Sequence, residues 1–223
     1  MKHTPIIAFD FSMNKPAMCC LIDSKLSFYA WPTKLDSNSQ MKLEDCGVNI
    51  VVRNLEPMHD KDFNESSLIC EHVRRSSNLA NMIIDSIKKV LNENGVTNYA
   101  DVIVANEGFA FGAKGDASLD LSGYKYVLML KLYENGFRTF KTYSPITLKS
   151  TAGCSKKGEG KKEHMIAMLG KEDKAIHPLI EVVGTSPELL IKKTNFIMCV
   201  DDLADAYWCM KTAIRKEKIK GAI

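Results

Sequence analysis

Acidic residues in this chain fall where apolar runs end. Asp10 closes Ile6-Ile7-Ala8-Phe9, and Glu107 follows Val102-Ile103-Val104-Ala105-Asn106. Asp201, Asp202 and Asp205 stand together in Val200-Asp-Asp-Leu-Ala-Asp-Ala-Tyr207. An ionised carboxylate beside so much apolar surface is costly unless a cation or hydrogen bonds compensate it. On a helix turning roughly 100° per residue, Asp202 and Asp205 share a face, as do Asp201 and Asp205. Each acid alone has an ordinary explanation. Asp forms turns after strands, Glu is solvated at strand ends, and acids in the first turn of a helix serve capping and the macrodipole. The last of these accounts for at least one of Asp201 and Asp202. Taken together, carboxylates drawn from separate elements to one end of a sheet repel one another, and a hard divalent cation is what relieves them. Magnesium takes oxygen ligands and keeps water. Two such ions about 4 Å apart hold both the attacking and leaving oxygens of a phosphoryl displacement.

The elements that must position these acids can be read from periodicity. Pro5–Phe11, Ala17–Ile22 and Leu26–Trp31 read as three adjacent antiparallel strands, with a turn at Met13-Asn14-Lys15-Pro16. Residues 34–66 are polar and loop-rich, with a short strand at Val48–Arg53. From Ser67 to Asn94 the apolar residues recur at helical spacing, and Asn94-Gly95 ends the run. Asp101–Asn106 is a buried strand, Ala117–Asn135 a helix, and Arg138–Tyr143 another strand. Ser144-Pro145 opens a short helix, Gly153–Gly160 is a loop, Lys161–Leu169 is helical, and a last helix runs from near Asp201 to Lys216. Strands first, then strand–helix alternation, imply an α/β fold: a mixed five-stranded sheet, three antiparallel strands followed by parallel ones, flanked by helices.

Composition bounds the class. The chain has 223 residues, 45% hydrophobic and 26% charged, enough for one large domain and unlike a disordered or fibrous chain. No apolar stretch approaches the roughly 18 residues of a membrane span. The N-terminal apolar run is too short for a signal-peptide core, so an intracellular location is expected. The seven cysteines are odd in number and lack a C-x-x-C pair, which argues for reduced thiols; Cys70 and His72 are the one close pair that could share a metal.

At this point the chain resembles a known family. The order of Asp on the first strand, Glu on the fourth and Asp-x-x-Asp on the last helix is similar to that of the RNase H-like nuclease superfamily. Within it the resemblance is to RuvC-type Holliday-junction resolvases, of a divergent, viral or organellar kind. It is carried by IAFDFS at 6–12, VIVANEGFAFGAKGDASLDLSGYKYVLM at 102–129 and DDLADAYWCM at 201–210, with Tyr143-Ser144-Pro145, Leu148-Lys149 and a Lys/Gly loop between the last two. About two-thirds of the chain is covered. The resemblance implies that Asp10, Glu107, Asp202 and Asp205 are catalytic and hold two Mg²⁺ ions, for which Mn²⁺ can substitute, with Asp201 the alternative to Asp202. It implies in-line attack of activated water on a backbone phosphorus. It also implies a homodimer that makes paired nicks in four-way DNA junctions during recombination, repair or replication. One departure stands out. The family tends to place an aromatic three residues beyond the Glu, where Ala110 stands here, flanked by Phe109 and Phe111. The whole chain, 1–223, is expected to be one nuclease domain, with insertions at 34–66 and 172–198.

The formal net charge of +3 conceals a separation. Residues 138–171 carry +6 and Lys211–Lys220 carry +4, leaving −7 for the remainder. Lys-rich loops are often merely solvated. Here Gly153, Gly158 and Gly160 interleave with Lys156, Lys157, Lys161 and Lys162, making a cationic loop that can follow a phosphate backbone with salt-sensitive affinity. Lys149, Lys114, Phe109 and Phe111 complete the expected DNA-binding set. The loop is not a nucleotide P-loop, because Gly160-Lys161 is followed by Lys162 rather than Ser or Thr. Three alternatives remain open on the sequence: a nuclease of forks, flaps or RNA–DNA hybrids, an actin-like or sugar-kinase-type ATP-binding protein, and a non-catalytic junction-binding protein.

Overall fold

The first hairpin shows how local chemistry sets the sheet. Asp23 and Ser24 both have positive φ, 46° and 63°, the conformation of a two-residue turn whose twist suits antiparallel strands. They join β2 (Ala17–Ile22) to β3 (Lys25–Ala30), with Ile22 opposite Lys25 and Ala17 opposite Ala30. β1 (Ile6–Asp10) pairs antiparallel with the other side of β2. The computed structural model describes residues 4–54, 65–108, 116–154, 162–172 and 195–219. Over these, the sheet order is β4-β3-β2-β1-β5-β6, with β4 at Val48–Ile50, β5 at Ile103–Glu107 and β6 at Thr139–Tyr143. The expected sequence of three antiparallel strands and then parallel ones is present. β4 adds a sixth strand, parallel to β3 at the edge, on the segment whose apolar residues predicted a short strand.

Part of 34–66, expected to be loop-rich, is instead helical. α1 (Ser37–Asp45) is capped by Asp36, whose carboxylate accepts from the Ser39 N–H at 2.9 Å. Of its side chains only Leu43 is buried, so the helical period was too faint to read. α2 (Glu65–Glu93) and α3 (Asp116–Glu134) pack on one face of the sheet. Leu79, Ile83, Ile87 and Leu91 of α2 and Leu128 and Leu132 of α3 line that core with Ile7, Phe9 and Val104.

α4 (Pro145–Thr151) is capped by Ser144, and α5 (Lys162–Leu169) follows. Both pack against α6 (Asn195–Lys216), which lies across β1, β2 and β5 on the opposite face. Because α6 has sheet on one side and helices on the other, Leu203, Ala204, Ala206, Tyr207, Trp208, Cys209, Met210 and Ala213 are all buried. The Trp208 indole N–H donates to the Met165 carbonyl at 3.0 Å, so even the outer side of the helix is satisfied within the protein. Among the described residues no helix is long and apolar enough to cross a membrane.

Candidate active site

β1 and β5 are neighbours and parallel, in register from Ile6 opposite Ile103 to Phe9 opposite Asn106. One step further along each strand brings Asp10 and Glu107, the last residues of the two strands, side by side. Strand side chains alternate between faces. Asp10 therefore shares the face of Ile6 and Ala8, and Glu107 that of Ile103 and Ala105, and these four belong to the core beneath α6. Both carboxylates emerge at the C-terminal edge of the parallel strands, where open α/β sheets place ligands. Gly108 holds the end of β5 against β6. Its N–H donates to the Tyr143 carbonyl at 2.7 Å, and a Cβ there would come within 3.3 Å of that same oxygen.

α6 begins at Asn195, six residues ahead of Asp201, and has no acid in its first turn. The capping explanation for Asp201 and Asp202 is thereby overturned, since the dipole acts only within the first turn. Asp201 and Asp205 sit in the body of the helix, each 8% exposed, with Asp202 half-buried between them. Leu203, Ala204, Tyr207 and Trp208 pack into the core.

Two buried thiols show where these acids lie. Cys209 is fully buried, and burial pushes its thiol far up. Glu107 raises it further, Lys125 opposes, and Asp10 and Asp205 add to the rise. Carboxylates from β1, β5 and α6 are thus close enough to one thiol to act on it together. Asp202 lies on a neighbouring line of the helix: Cys199, pushed up to about 12 mainly by burial, is raised by Asp202 and lowered by Lys15. The Lys15 ammonium rests 3.2 Å from the Met198 sulfur.

Lys125, which the sequence reading did not single out, belongs to the same place. It is 8% exposed, and its ammonium donates to the main-chain carbonyl of Glu107. Burial holds its pKa below the ordinary lysine value, while Cys209, Glu107 and Asp10 work in the opposite direction. The signal was present in the spacing. Lys125, Leu128 and Leu132 lie at i, i+3 and i+7, which puts a cation on the inward stripe of α3.

Among the described residues, no three His, Cys, Asp or Glu side chains are drawn together as a ready metal cage. The chemistry of the donors nevertheless fits a hard divalent cation. They are carboxylate oxygens, and Lys125 brings one positive charge to the three carboxylates of Asp10, Glu107 and Asp205. Cys70 is exposed and the His72 ring packs 6.0 Å from that of Tyr124, so that pair belongs elsewhere on the surface. Of the expected DNA-binding residues, Lys149 is half-buried in the last turn of α4 and Lys162 is the first residue of α5. Phe109, Phe111, Lys114, Lys156, Lys157 and Lys161 lie outside the described residues.

The sheet order, its single antiparallel strand β2 and the helix lying across its centre define the class: a mixed α/β protein of RNase H-like fold. Within that class the fold is that of RuvC. Thermus thermophilus RuvC in complex with Holliday junction substrate matches with a TM-score of 0.50 and 12% identity, over 96% of each chain. A second structure of Thermus thermophilus RuvC matches with a TM-score of 0.48 and 13% identity, again over 96% of each. No family model and no curated protein matches the sequence.

Proposed function

We propose that this protein is a divalent-metal-dependent endodeoxyribonuclease that resolves four-way DNA junctions by paired hydrolytic nicks. The observation that carries the reading is the placement of Asp10 and Glu107 side by side at the ends of adjacent parallel strands, with Asp205 reaching the same buried thiol from the body of α6. Four-way junctions are taken as the substrate because the fold matched is that of a protein seen in complex with one.

In this reading Asp10, Glu107, Asp205 and Asp202, with Asp201 the alternative to Asp202, hold two Mg²⁺ ions, and Mn²⁺ can replace them. When bound, the ions supply activation of water and charge neutralisation at the phosphate. The chain's own residues do the positioning. The strands hold Asp10 and Glu107 at a set spacing, and Lys125 anchors the Glu107 main chain from beneath. The packed α6 keeps Asp205 from retreating into solvent. Lys149, Lys156, Lys157, Lys161, Lys162 and Lys114 grip the backbone, and Phe109 and Phe111 meet bases at the branch. The chain acts as one nuclease unit across 1–223, with 34–66 and 172–198 as insertions.

Paired nicking requires two sites, and a homodimer supplies them. Tyr126, Leu130 and Tyr133 make an apolar stripe on α3, 63%, 56% and 54% exposed, at the i, i+4, i+7 spacing of one helix face. Exposed apolar patches of this kind mark association surfaces.

The test is cleavage of a panel of synthetic junction, fork, flap, RNA–DNA hybrid and duplex substrates in Mg²⁺ or Mn²⁺, with Asp10→Asn beside the native chain. Paired nicks in the junction that vanish in Asp10→Asn are expected. Nicking at the native rate by a folded Asp10→Asn protein overturns the site, and preference for another substrate overturns the junction assignment.

A further inference from the structure

A second basic site lies on the other face of the sheet. A cavity of about 390 Å³ is lined by Asn14, Arg53, His72, Arg74, Arg75 and Tyr124 among others, and among the described residues no Asp or Glu lines it. Its residues come from four places in the chain: the turn after β1, the segment after β4, the N-terminal half of α2, and α3.

The guanidinium groups are held in place rather than waving in solvent. Arg53 donates through Nε to the Trp31 carbonyl at 2.7 Å and through Nη2 to the Met13 carbonyl. Burial lowers its pKa to about 10, so it stays charged at neutral pH. Glu71, buried behind the cavity, accepts from Arg74 at 2.8 and 2.9 Å and from Arg75 at 2.6 Å. One carboxylate thus fixes two guanidinium planes, and Arg53 brings a third guanidinium to the same cavity. Fixed guanidinium forks match phosphate geometry and lose little side-chain entropy on binding it.

The site is tied to the candidate active centre from two directions. Asn14 is four residues beyond Asp10, so the two are at most about 14 Å apart along the chain. That span is about four nucleotides at 3.4 Å of rise per strand. Tyr124 is the neighbour of Lys125, whose ammonium contacts the Glu107 carbonyl. Asp10 and Glu107 emerge on the α6 face, whereas this cavity opens on the α2–α3 face.

We infer that the Arg53–Arg74–Arg75 cavity binds backbone phosphate of a nucleic-acid strand within a few nucleotides of the scissile bond, so that the DNA bends over the C-terminal edge of the sheet and is gripped on both faces. The inference rests on the nuclease reading and adds to it a phosphate site separate from the Lys149–Lys162 segment.

The experiment measures binding without cleavage. Asp10→Asn protein is titrated by fluorescence anisotropy with a four-way junction and with linear duplex across 50–200 mM salt in EDTA. It is compared with the same protein carrying Arg74→Gln and Arg75→Gln together. Two lost phosphate contacts lower the slope of log K against log salt by about 1.8. Because the paired change also strips Glu71 of its partners, Asn78→Asp serves as a second variant. It places a carboxylate in the lining from an exposed position and is expected to weaken binding. Lys88→Gln with Lys89→Gln, further along α2, is expected to leave the slope unchanged. Thermal melting checks each fold. An unchanged slope in both cavity variants of a protein that still binds DNA overturns this inference alone. So does a rise of the parent protein's melting temperature with inorganic phosphate that both cavity variants abolish while their DNA binding is unmoved, which makes the cavity a small-anion site. Absence of any DNA binding by the parent protein overturns the nuclease reading together with it.

Discussion

The two faces of the sheet solve opposite problems. On one face α6 is covered by strands beneath and by α4 and α5 above, and its side chains from Leu203 to Ala213 are almost all buried. On the other, α2 and α3 cover the sheet but keep an outer surface, where Ile69, Val73, Tyr126, Leu130 and Tyr133 are exposed. The covered face carries the acids, and the open face carries the arginine cavity. A carboxylate in the body of a buried helix is a liability that only a cation or a set of donors relieves, which is why Asp201 and Asp205 point to chemistry. The arginines of the cavity carry a different signature, the way Glu71 and two main-chain carbonyls hold them still. Covered charge and open charge must therefore be recognised by different signs, burial in the first case and immobilisation in the second.

The largest effect that tests this contrast is kinetic. Asp205→Asn is expected to lower the nicking rate by about a thousandfold, equivalent to ~4 kcal/mol, with stability little changed. Making Asp201→Asn and Asp202→Asn separately and measuring single-turnover rates assigns the doublet, because only the ligand member shows a loss of that size. Equal, small losses in all three would remove α6 from the site.

Next in size is packing. Trp208→Ala on the covered face is expected to cost about 3–5 kcal/mol in urea unfolding, since the indole is buried and its N–H is hydrogen-bonded. Leu130→Ala on the open face is expected to leave monomer stability within about 0.5 kcal/mol. For the homodimer proposed above, the same change is expected to raise the dissociation constant by about fivefold, roughly 1 kcal/mol, by sedimentation. Comparable destabilisation by the two would erase the distinction between the faces.

Lys125 joins the two regions, rising from α3 to the acids. Lys125→Met removes the buried ammonium and is expected to destabilise the metal-free protein by about 3 kcal/mol, with added Mg²⁺ recovering part of the lost melting temperature. No recovery by Mg²⁺ would mean that the lysine serves the fold alone.

The smallest effect is electrostatic. Hydrogen bonds from Arg74, and then from Arg75, pull the Glu71 carboxyl down to about 2. Its folded value is depressed, so its contribution to stability is complete above about pH 4.5 and is lost as pH falls towards 2. Glu71→Gln is therefore expected to lower the melting temperature at pH 7 and to narrow its gap from the native chain at pH 2–3. A constant gap would show that the three side chains are not coupled.

What could be read in advance, and what could not, follows from the range of the forces involved. β1, β2 and β5 were legible because a strand buried on both faces must be apolar throughout. Asp10 and Glu107 stood out as polar residues ending such runs. α1 was missed because a helix with one buried side chain has almost no period. The start of α6 was misplaced because its first turn, Asn195–Met198, follows a stretch whose pattern identified no element. Lys125 was passed over because one lysine on an apolar stripe resembles any exposed helix cation until its surroundings are known.

The sequence by itself determined the types and order of these elements and the residues capable of holding a cation, because strand and helix periods and the cost of charge beside apolar runs are local properties. Only the tertiary structure decided which of those residues meet. The parallel register of β1 with β5 sets Asp10 beside Glu107, the start of α6 at Asn195 strips Asp201 and Asp202 of a capping role, and the approach of α3 brings Lys125 beneath the acids. These are contacts between segments as far apart along the chain as Asp10 and Asp205, and they arise from packing, whose energy depends on shape across the core rather than on any neighbour in sequence.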